Sequence, residues 1–274
     1  RAAWIARGFP MSAAWNVLRG ILGRSTGSVG RVADGAGAGL VFDIGRGSRE
    51  FLTGAYELPV QNALGEIVRP GDVVFDVGAN IGFLTLIAAR LTGPEGRVIA
   101  FEPVPANARL IRRNVALNGL RNVSVREEAA AAQDGEEVLV LAEHIGGATL
   151  LSAGVPDDAR GRIRVRTRSI DTLVDRGEIP APDVVKIDVE GAERDVLLGM
   201  GRVLARHRPV LLIELDGRRE AEVENKAAQC GAILEAAGYR LATLPSSYKT
   251  EWVVRHVLAR PSSARGEPVE VDGR

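Results

Sequence analysis

The segment FDVGANIGF, Phe75 to Phe83, constrains this chain more than any other, because an apolar strand breaks there into a glycine turn and then a helix. Val73, Val74, Phe75 and Val77 make a strand of the kind covered on both faces of a parallel sheet, with Asp76 near its carboxyl end. Gly78 and Gly82 bracket a turn around Asn80. Glycine is needed where φ turns positive or where a Cβ would block a ligand, and Asn tolerates the left-handed region better than most residues. The helix expected over Ile81 to Leu91 points its N-terminal amides at whatever fills the crevice. A dinucleotide fingerprint places glycine at the first, third and sixth positions of G-x-G-x-x-G. Here those positions hold Gly78, Asn80 and Phe83, and the second glycine falls on the fifth. The turn therefore favours a nucleoside-type cofactor with no pyrophosphate to cradle.

A second strand, Arg97 to Phe101, ends in Glu102, at the separation of roughly 20 residues where α/β nucleotide folds engage ribose hydroxyls. Asp76, Gly78, Gly82 and Glu102 form one candidate constellation. The plainer alternative is an ordinary strand, turn and helix whose glycines serve packing.

Around this unit the pattern alternates strands and helices, as in a mostly parallel sheet with helices on both faces. A helix runs from the prolines at 103 and 105 to Asn118, a third strand spans Val123 to Arg126, and Asp183 to Asp188 forms the fourth. A helix from about Glu190 to Leu204 precedes a fifth strand, Val210 to Leu215. Another helix, Glu220 to Ala237, leads to two terminal strands, Tyr239 to Leu244 and Trp252 to Leu258, which look antiparallel. Between strands three and four, Glu137 to Ala142 and Ile163 to Thr167 alternate like a hairpin, enclosing a small-residue loop from His144 to Gly154. The expected division is an N-terminal cap over residues 1–70, a main domain over 71–261 and a tail over 262–274. Within the cap, Ser25 to Gly39 reads as a linker, Leu40 to Ile44 as a short strand, and Gly54 to Val68 as a helix opened by Gly54, Ala55, Tyr56 and Glu57.

The fourth strand is unusual. VVKIDVEGAE, Val184 to Glu193, should be almost wholly apolar yet carries Lys186, Asp188 and Glu190. In open α/β sheets the ligand sits beyond the carboxyl ends of the strands, and Asp76, Glu102, Asp188 and Glu214 all fall there. A buried lysine needs a charged partner, so Lys186 is expected to pair with one of these acids or with substrate. An internal ion pair is the structural alternative. Glu193 suits a helix first turn. Asp188, Glu190 and Glu214 are also an oxygen-ligand metal candidate, though with no histidine near in sequence. His207 and His256 have no supporting neighbours and read as structural.

Composition narrows the partners. Lys plus Arg and Asp plus Glu are equal at 35 each, which removes the global basic field of a nucleic-acid binder. One cysteine, Cys230, excludes an intrachain disulfide framework and suits a reducing, cytoplasmic setting. No apolar run reaches the roughly 18 residues of a membrane span. The first 23 residues read as a broken basic amphipathic helix, compatible with lying on a membrane surface but expected instead to pack on the domain or on a second subunit of a homo-oligomer. The abundance of alanine, glycine and arginine suits a high-GC bacterial source.

Six motifs in order give the chain a resemblance: DVGANIGF at 76–83, FEP at 101–103, Asn114 and Asn118, SID at 169–171, KIDVEGAE at 186–193 and IEL at 213–215. Together they resemble the FkbM-type S-adenosylmethionine-dependent methyltransferases over about Gly54 to Pro261. The resemblance implies a class I methyltransferase fold, Rossmann-like, with seven strands of which the last is antiparallel, and methyl transfer to oxygen. It implies that Asp76, Gly78, Ala79, Asn80 and Gly82 line the methionine and ribose part of the cofactor. Glu102 and Pro103 would meet the ribose, Glu128 and Ala129 the adenine, and Asp188 the transferable methyl. Asp188, Lys186 and His144 are the catalytic candidates, the first and last as general base. Glu190, Glu214 and Tyr56 are the acceptor-binding candidates, for a small-molecule hydroxyl or carboxylate such as a polyketide or glycoside. Two rival readings are a nicotinamide-dependent oxidoreductase and a non-catalytic nucleoside-binding domain.

Overall fold

In the computed structural model, which describes residues 28–45, 47–142, 148–155, 159–245 and 253–262, the alternating pattern resolves into one large sheet and an inserted smaller one. A hairpin of β1 (Val29–Arg31) and β2 (Val41–Asp43) leads to α1 (Glu50–Thr53) and α2 (Leu58–Ile67). The main unit follows as β3 (Val73–Val77), α3 (Phe83–Thr92), β4 (Arg97–Phe101), α4 (Pro105–Leu117) and β5 (Val123–Arg126). The insertion holds β6 (Ala129–Ala130), β7 (Gly135–Ala142), β8 (Ala148–Leu150) and β9 (Ala159–Arg168). The chain then returns through α5 (Ile170–Asp175), β10 (Val184–Ile187), α6 (Glu193–Leu198), α7 (Gly201–Arg206), β11 (Val210–Gly217), α8 (Glu220–Ala236), β12 (Tyr239–Thr243) and β13 (Val253–Pro261).

The large sheet has the order β12-β13-β11-β10-β3-β4-β5. All its pairings are parallel except those of β13, which runs antiparallel to both β11 and β12. β3 and β10 are neighbours although the chain between them visits the far edge at β5. Their carboxyl ends are thus the switch point, where connections leave in opposite directions and open a crevice.

One face of the sheet is packed by Phe75, Ile187, Val196, Leu211 and Leu234. The other is packed by Val74, Leu86, Ile87, Val98 and Leu212 together with Phe42, Phe51, Val60 and Leu64 from the N-terminal segment. Phe83, in the place of the fingerprint's third glycine, docks that segment: its ring lies 5.3 Å from Phe42 and from Phe51 and 5.8 Å from Tyr56. Asn114 and Asn118 add a polar suture. The Asn114 amide accepts from Asp43 N–H at 2.7 Å and donates to Asp43 O at 3.1 Å, and Asn118 treats Val41 likewise at 2.8 and 2.7 Å. Four residues of helix rise about 6 Å and two residues of strand about 6.6 Å, so the two side chains meet alternate peptides of β2.

Several expected boundaries shift for identifiable reasons. The stretch read as a linker, 25–39, contains β1 in its described part. The helix expected from Gly54 starts at Leu58, because Gly54 and Glu57 take φ of 81° and 45°. The helix expected over 190–204 is two short helices. Between them Gly199 lies so close to the insertion that a Cβ would stand 2.0 Å from Ala131 O. The SID motif secures this break. Ser169 caps α5 and its hydroxyl donates to Gly199 O at 2.8 Å, and the Asp171 carboxylate accepts from Arg202 and Val203 N–H at 2.9 and 2.8 Å, capping α7. The 144–154 loop contains strand β8, paired with β7.

Candidate active site

The turn after β3 is held from beneath. Gly78 N–H and Ala79 N–H both donate to Phe101 O, at 3.1 and 3.0 Å. Gly78 has φ of 79°, and a Cβ on it would stand 1.7 Å from Asp188 O, so no other residue fits between the ends of β3 and β10. Asn80, at φ 49°, presents its N–H to Glu102 Oε2 at 2.8 Å. Glu102 Oε1 accepts from Val104 N–H at 2.9 Å and from Asn107 Nδ2 at 3.4 Å. Burial raises the Glu102 carboxyl to about 7, against the pull of those donors toward the charged form.

The floor is built by side chains. Lys186 Nζ lies 3.1 Å from Asp188 Oδ2 and 3.4 Å from Asp76 Oδ1, and donates to Gly78 O at 2.9 Å. Burial works against its charge, but Asp188, Asp76 and Glu57 outweigh burial and hold the ammonium charged. Thr85 donates its hydroxyl to Asp76 Oδ2. Glu190, at φ 53°, is raised to about 9 by burial and by Asp188 and Asp216 beside it. Glu214 on β11 is raised well above the ordinary range by burial, Asp188 and Glu57. Its register partner on β13 is His256, whose Nε2 lies 2.6 Å from Glu214 Oε2 and whose imidazole burial lowers to about 4.

A cleft opens above these groups. One wall comes from Gly78, Asn80, Glu102, Pro103 and Asn107, the floor from Asp188, Val189, Glu190 and Glu214. Leu139, Ala148 and Leu150 of the insertion close the opposite side, Glu128 and Ala129 one end, and Tyr56 enters from the N-terminal segment. Gln61 shapes that entry: its amide donates to Gly54 O at 3.0 Å and to Tyr56 O, and accepts from Ala36 N–H at 2.9 Å.

Most of the expected residues therefore converge, with four displaced. Asp76 is buried behind the turn, bound to Thr85 and Lys186, because it sits inside the strand, not past its end. Lys186 and Ala79 face a smaller recess behind the turn with Phe51, Ile81 and Phe83. Gly82, expected to line the cofactor, lines neither: a Cβ there would press on Ile111 at 3.1 Å, so this glycine serves the approach of α4. Glu128 lines the cleft, yet its carboxylate is gripped by Arg126 at 2.6 Å, with Arg166 and Arg168 at 3.4 and 3.5 Å. His144 lies outside the described residues, as do residues 1–23. Missed in the sequence were Glu57, which had only opened a helix, and His256. Nothing local marks His256, since its partner stands 42 positions away.

The metal candidate of Asp188, Glu190 and Glu214 also changes. Among the described residues, the atoms near enough to share an ion belong to Glu57, Glu214 and His256, all within 4.8 Å of one another. Two ligands of one ion at bond lengths near 2.0–2.1 Å stand about 3 Å apart. The 2.6 Å His256–Glu214 contact is instead a hydrogen bond. An adenosyl sulfonium fits the residues better. Asn80 Oδ1 is buried with no hydrogen-bond partner among the described residues, Glu102 offers carboxylate oxygens for hydroxyls, and the floor carries the acids Asp188, Glu190 and Glu214 where a cation would rest.

The model of the methyltransferase FkbM domain matches residues 76–241. Similar curated proteins include the 31-O-demethyl-FK506 methyltransferase FkbM of Streptomyces tacrolimicus, 34% identical over 48% of this chain and 61% of that protein. The hexuronic acid methyltransferase AglP of Haloferax volcanii is 31% identical over 54% of this chain and 58% of its own length. The antimetabolite synthetase AmbE of Pseudomonas aeruginosa is 30% identical over 65% of this chain but only 10% of the synthetase. The chain thus spans between a tenth and about three fifths of these relatives. A crystal structure of methyltransferase FkbM from Methylobacillus flagellatus KT superposes with a TM-score of 0.48 at 20% identity, covering 73% of this chain and 50% of that one. No helix among the described residues is long and apolar enough to cross a membrane. With the family model spanning more than half of its length, this chain belongs to the FkbM methyltransferase family, whose members depend on S-adenosylmethionine.

Proposed function

We propose that the protein methylates an oxygen of a small molecule, a hydroxyl or carboxylate of a specialised metabolite such as a polyketide or glycoside. The observation that carries this reading is the position of three acids, Asp188, Glu190 and Glu214, on the cleft floor next to the Gly78–Glu102 wall. Oxygen acceptors must shed a proton or arrive charged, and acids at that spot serve the first need. Two of the relatives carry names that point the same way, one acting on demethylated FK506 and one on a hexuronic acid.

Glu102, Asn80 and Pro103 would hold the nucleoside, and Asp188 would stand beside the sulfonium. When bound, the cofactor supplies a methyl on positively charged sulfur. The chain's own contribution is alignment and exclusion of water: Tyr56 from one side and Leu139, Ala148 and Leu150 from the other narrow the approach to the floor. The setting is proposed to be cytoplasmic and the source bacterial.

Isothermal titration with S-adenosylmethionine, S-adenosylhomocysteine and NAD, followed by S-adenosylhomocysteine release over a panel of hydroxyl- and carboxyl-bearing acceptors, tests the proposal. Binding of the first two without NAD, with turnover on an oxygen acceptor, is the expected result. Methyl transfer only to nitrogen or carbon acceptors would overturn it, and cofactor binding with no release across the panel would support a binding domain.

A further inference from the structure

We infer that Glu214 receives the proton of the acceptor and that His256 is the positioning residue that holds its carboxylate toward the cleft. The inference rests on the oxygen-methylation reading and narrows it, since only a hydroxyl acceptor needs such a base.

The geometry comes from the one strand that runs against the rest. β13 is antiparallel to β11, and Glu214 and His256 are direct register partners, so their side chains leave the sheet on the same face. Glu214 lines the cleft; His256 is 1% exposed and does not. Their contact, Nε2 to Oε2 at 2.6 Å, occupies one carboxylate oxygen and leaves Oε1 as the atom to meet a proton. Charged and titratable groups reach this pair from every packed element: Glu57 before α2, Lys186 on β10, and Asp188 and Glu190 in the turn beyond it, the last itself beside Asp216 of β11. Asp188 is the weaker candidate for the base, because Lys186 already occupies its Oδ2 at 3.1 Å.

In the step itself, the acceptor O–H bond breaks and its proton passes to Glu214 Oε1. The oxygen lone pair forms the new O–CH3 bond while the C–S electron pair returns to sulfur. The products are a methyl ether, S-adenosylhomocysteine and a protonated Glu214, which returns its proton to water when the cleft opens. Throughout, His256 stays neutral and donates Nε2–H to Oε2. Burial of the imidazole, which lowers it to about 4, supports that state.

Three variants test the inference: Glu214→Gln, His256→Leu and His256→Gln, the last keeping an N–H donor near Nε2. In the S-adenosylhomocysteine complex, 13C titration of glutamate carboxyls should show one group above the ordinary range that vanishes in Glu214→Gln. Loss of the donor in His256→Leu should move it up by about one pH unit, with recovery in His256→Gln. With hydroxyl acceptors from the panel, Glu214→Gln should lose about 100-fold or more in turnover, with S-adenosylhomocysteine affinity within about threefold. The acid limb of the rate profile should follow the carboxyl in His256→Leu. The inference is overturned by a titration indifferent to His256, by a Glu214→Gln enzyme that still methylates hydroxyls, or by a wild type that accepts only carboxylic acids. A wild type that binds no cofactor or methylates no oxygen breaks the underlying function instead.

Discussion

Immediately after β4 and inside β11, two glutamates that line the cleft sit in opposite settings. Glu102 is met by backbone amides of Asn80 and Val104, and by Lys186 at longer range, all of which favour its charge. Glu214 is met by other acids and by the His256 imidazole, and burial together with those acids raises it well above the ordinary carboxyl range. The difference runs through the whole sheet. Around β3 and β4 the cleft is built from main-chain groups and glycines, with Glu102 as the titrating side chain among them. Around β10, β11 and β13 it is built from ionisable side chains whose state changes with their neighbours. One half suits holding a ligand of fixed form, the other suits moving a proton.

The hinge between the halves is Lys186, and its removal is the largest expected effect. Lys186→Met leaves Asp76 and Asp188 without their shared cation, and breaking a buried pair costs about 3–5 kcal/mol. The urea midpoint should fall accordingly, and an unchanged midpoint would mean that the two halves do not depend on one another. Glu102→Ala comes next. It orphans the amides of Asn80 and Val104 as well as any ribose contact, so S-adenosylhomocysteine affinity should drop by about 100-fold. Glu190→Gln on the other side should change it by less than about threefold. Equal losses in calorimetry would erase the contrast.

Gly82→Ala should cost about 1–2 kcal/mol of stability, through its φ of 90° and the 3.1 Å approach to Ile111. The affinity of the folded fraction should stay the same. Selective loss of affinity would return this glycine to the cofactor wall. The smallest effect is a pH dependence. Ribose hydroxyls donate to a charged carboxylate, and burial raises Glu102 to about 7, so S-adenosylhomocysteine affinity should rise about tenfold or less from pH 6 to pH 8. The same shift acts on folding with the opposite sign. The native state binds the extra proton between the ordinary carboxyl value and about 7, so this group's contribution to stability falls as pH rises through that window and is flat above it. Glu102→Gln should flatten both slopes, and a persistent slope in binding would assign the titration to another group.

Much of this was legible beforehand because its signals are local. The apolar run Val73–Val77, the glycines at 78 and 82 and the acid after β4 announce a strand, a turn and a partner within one supersecondary unit. The same proximity misled at Gly82, where the need for glycine comes from Ile111 on another helix, and at Asp76, which was placed near the strand's carboxyl end but is buried behind the turn. The break between α6 and α7 was hidden for a related reason. Its cause is the carbonyl of Ala131, about 70 positions away, and the side chains of Ser169 and Asp171, some 30 positions away.

What the amino-acid sequence determined by itself is the order of strands and helices, the mostly parallel sheet, the glycine turn with its acidic partner and the family to which these motifs point. Periodicity and backbone preference are properties of short segments, so they survive without tertiary information. Only the tertiary structure decided which groups share a proton. The pairing of β11 with β13 sets Glu214 against His256, the turn at Gly54–Glu57 delivers a further acid, and the insertion supplies Leu139 and Leu150 as a wall. Electrostatic coupling falls with distance in space and ignores distance along the chain, and for that reason the titrating half of the site could be read only once the sheet had closed.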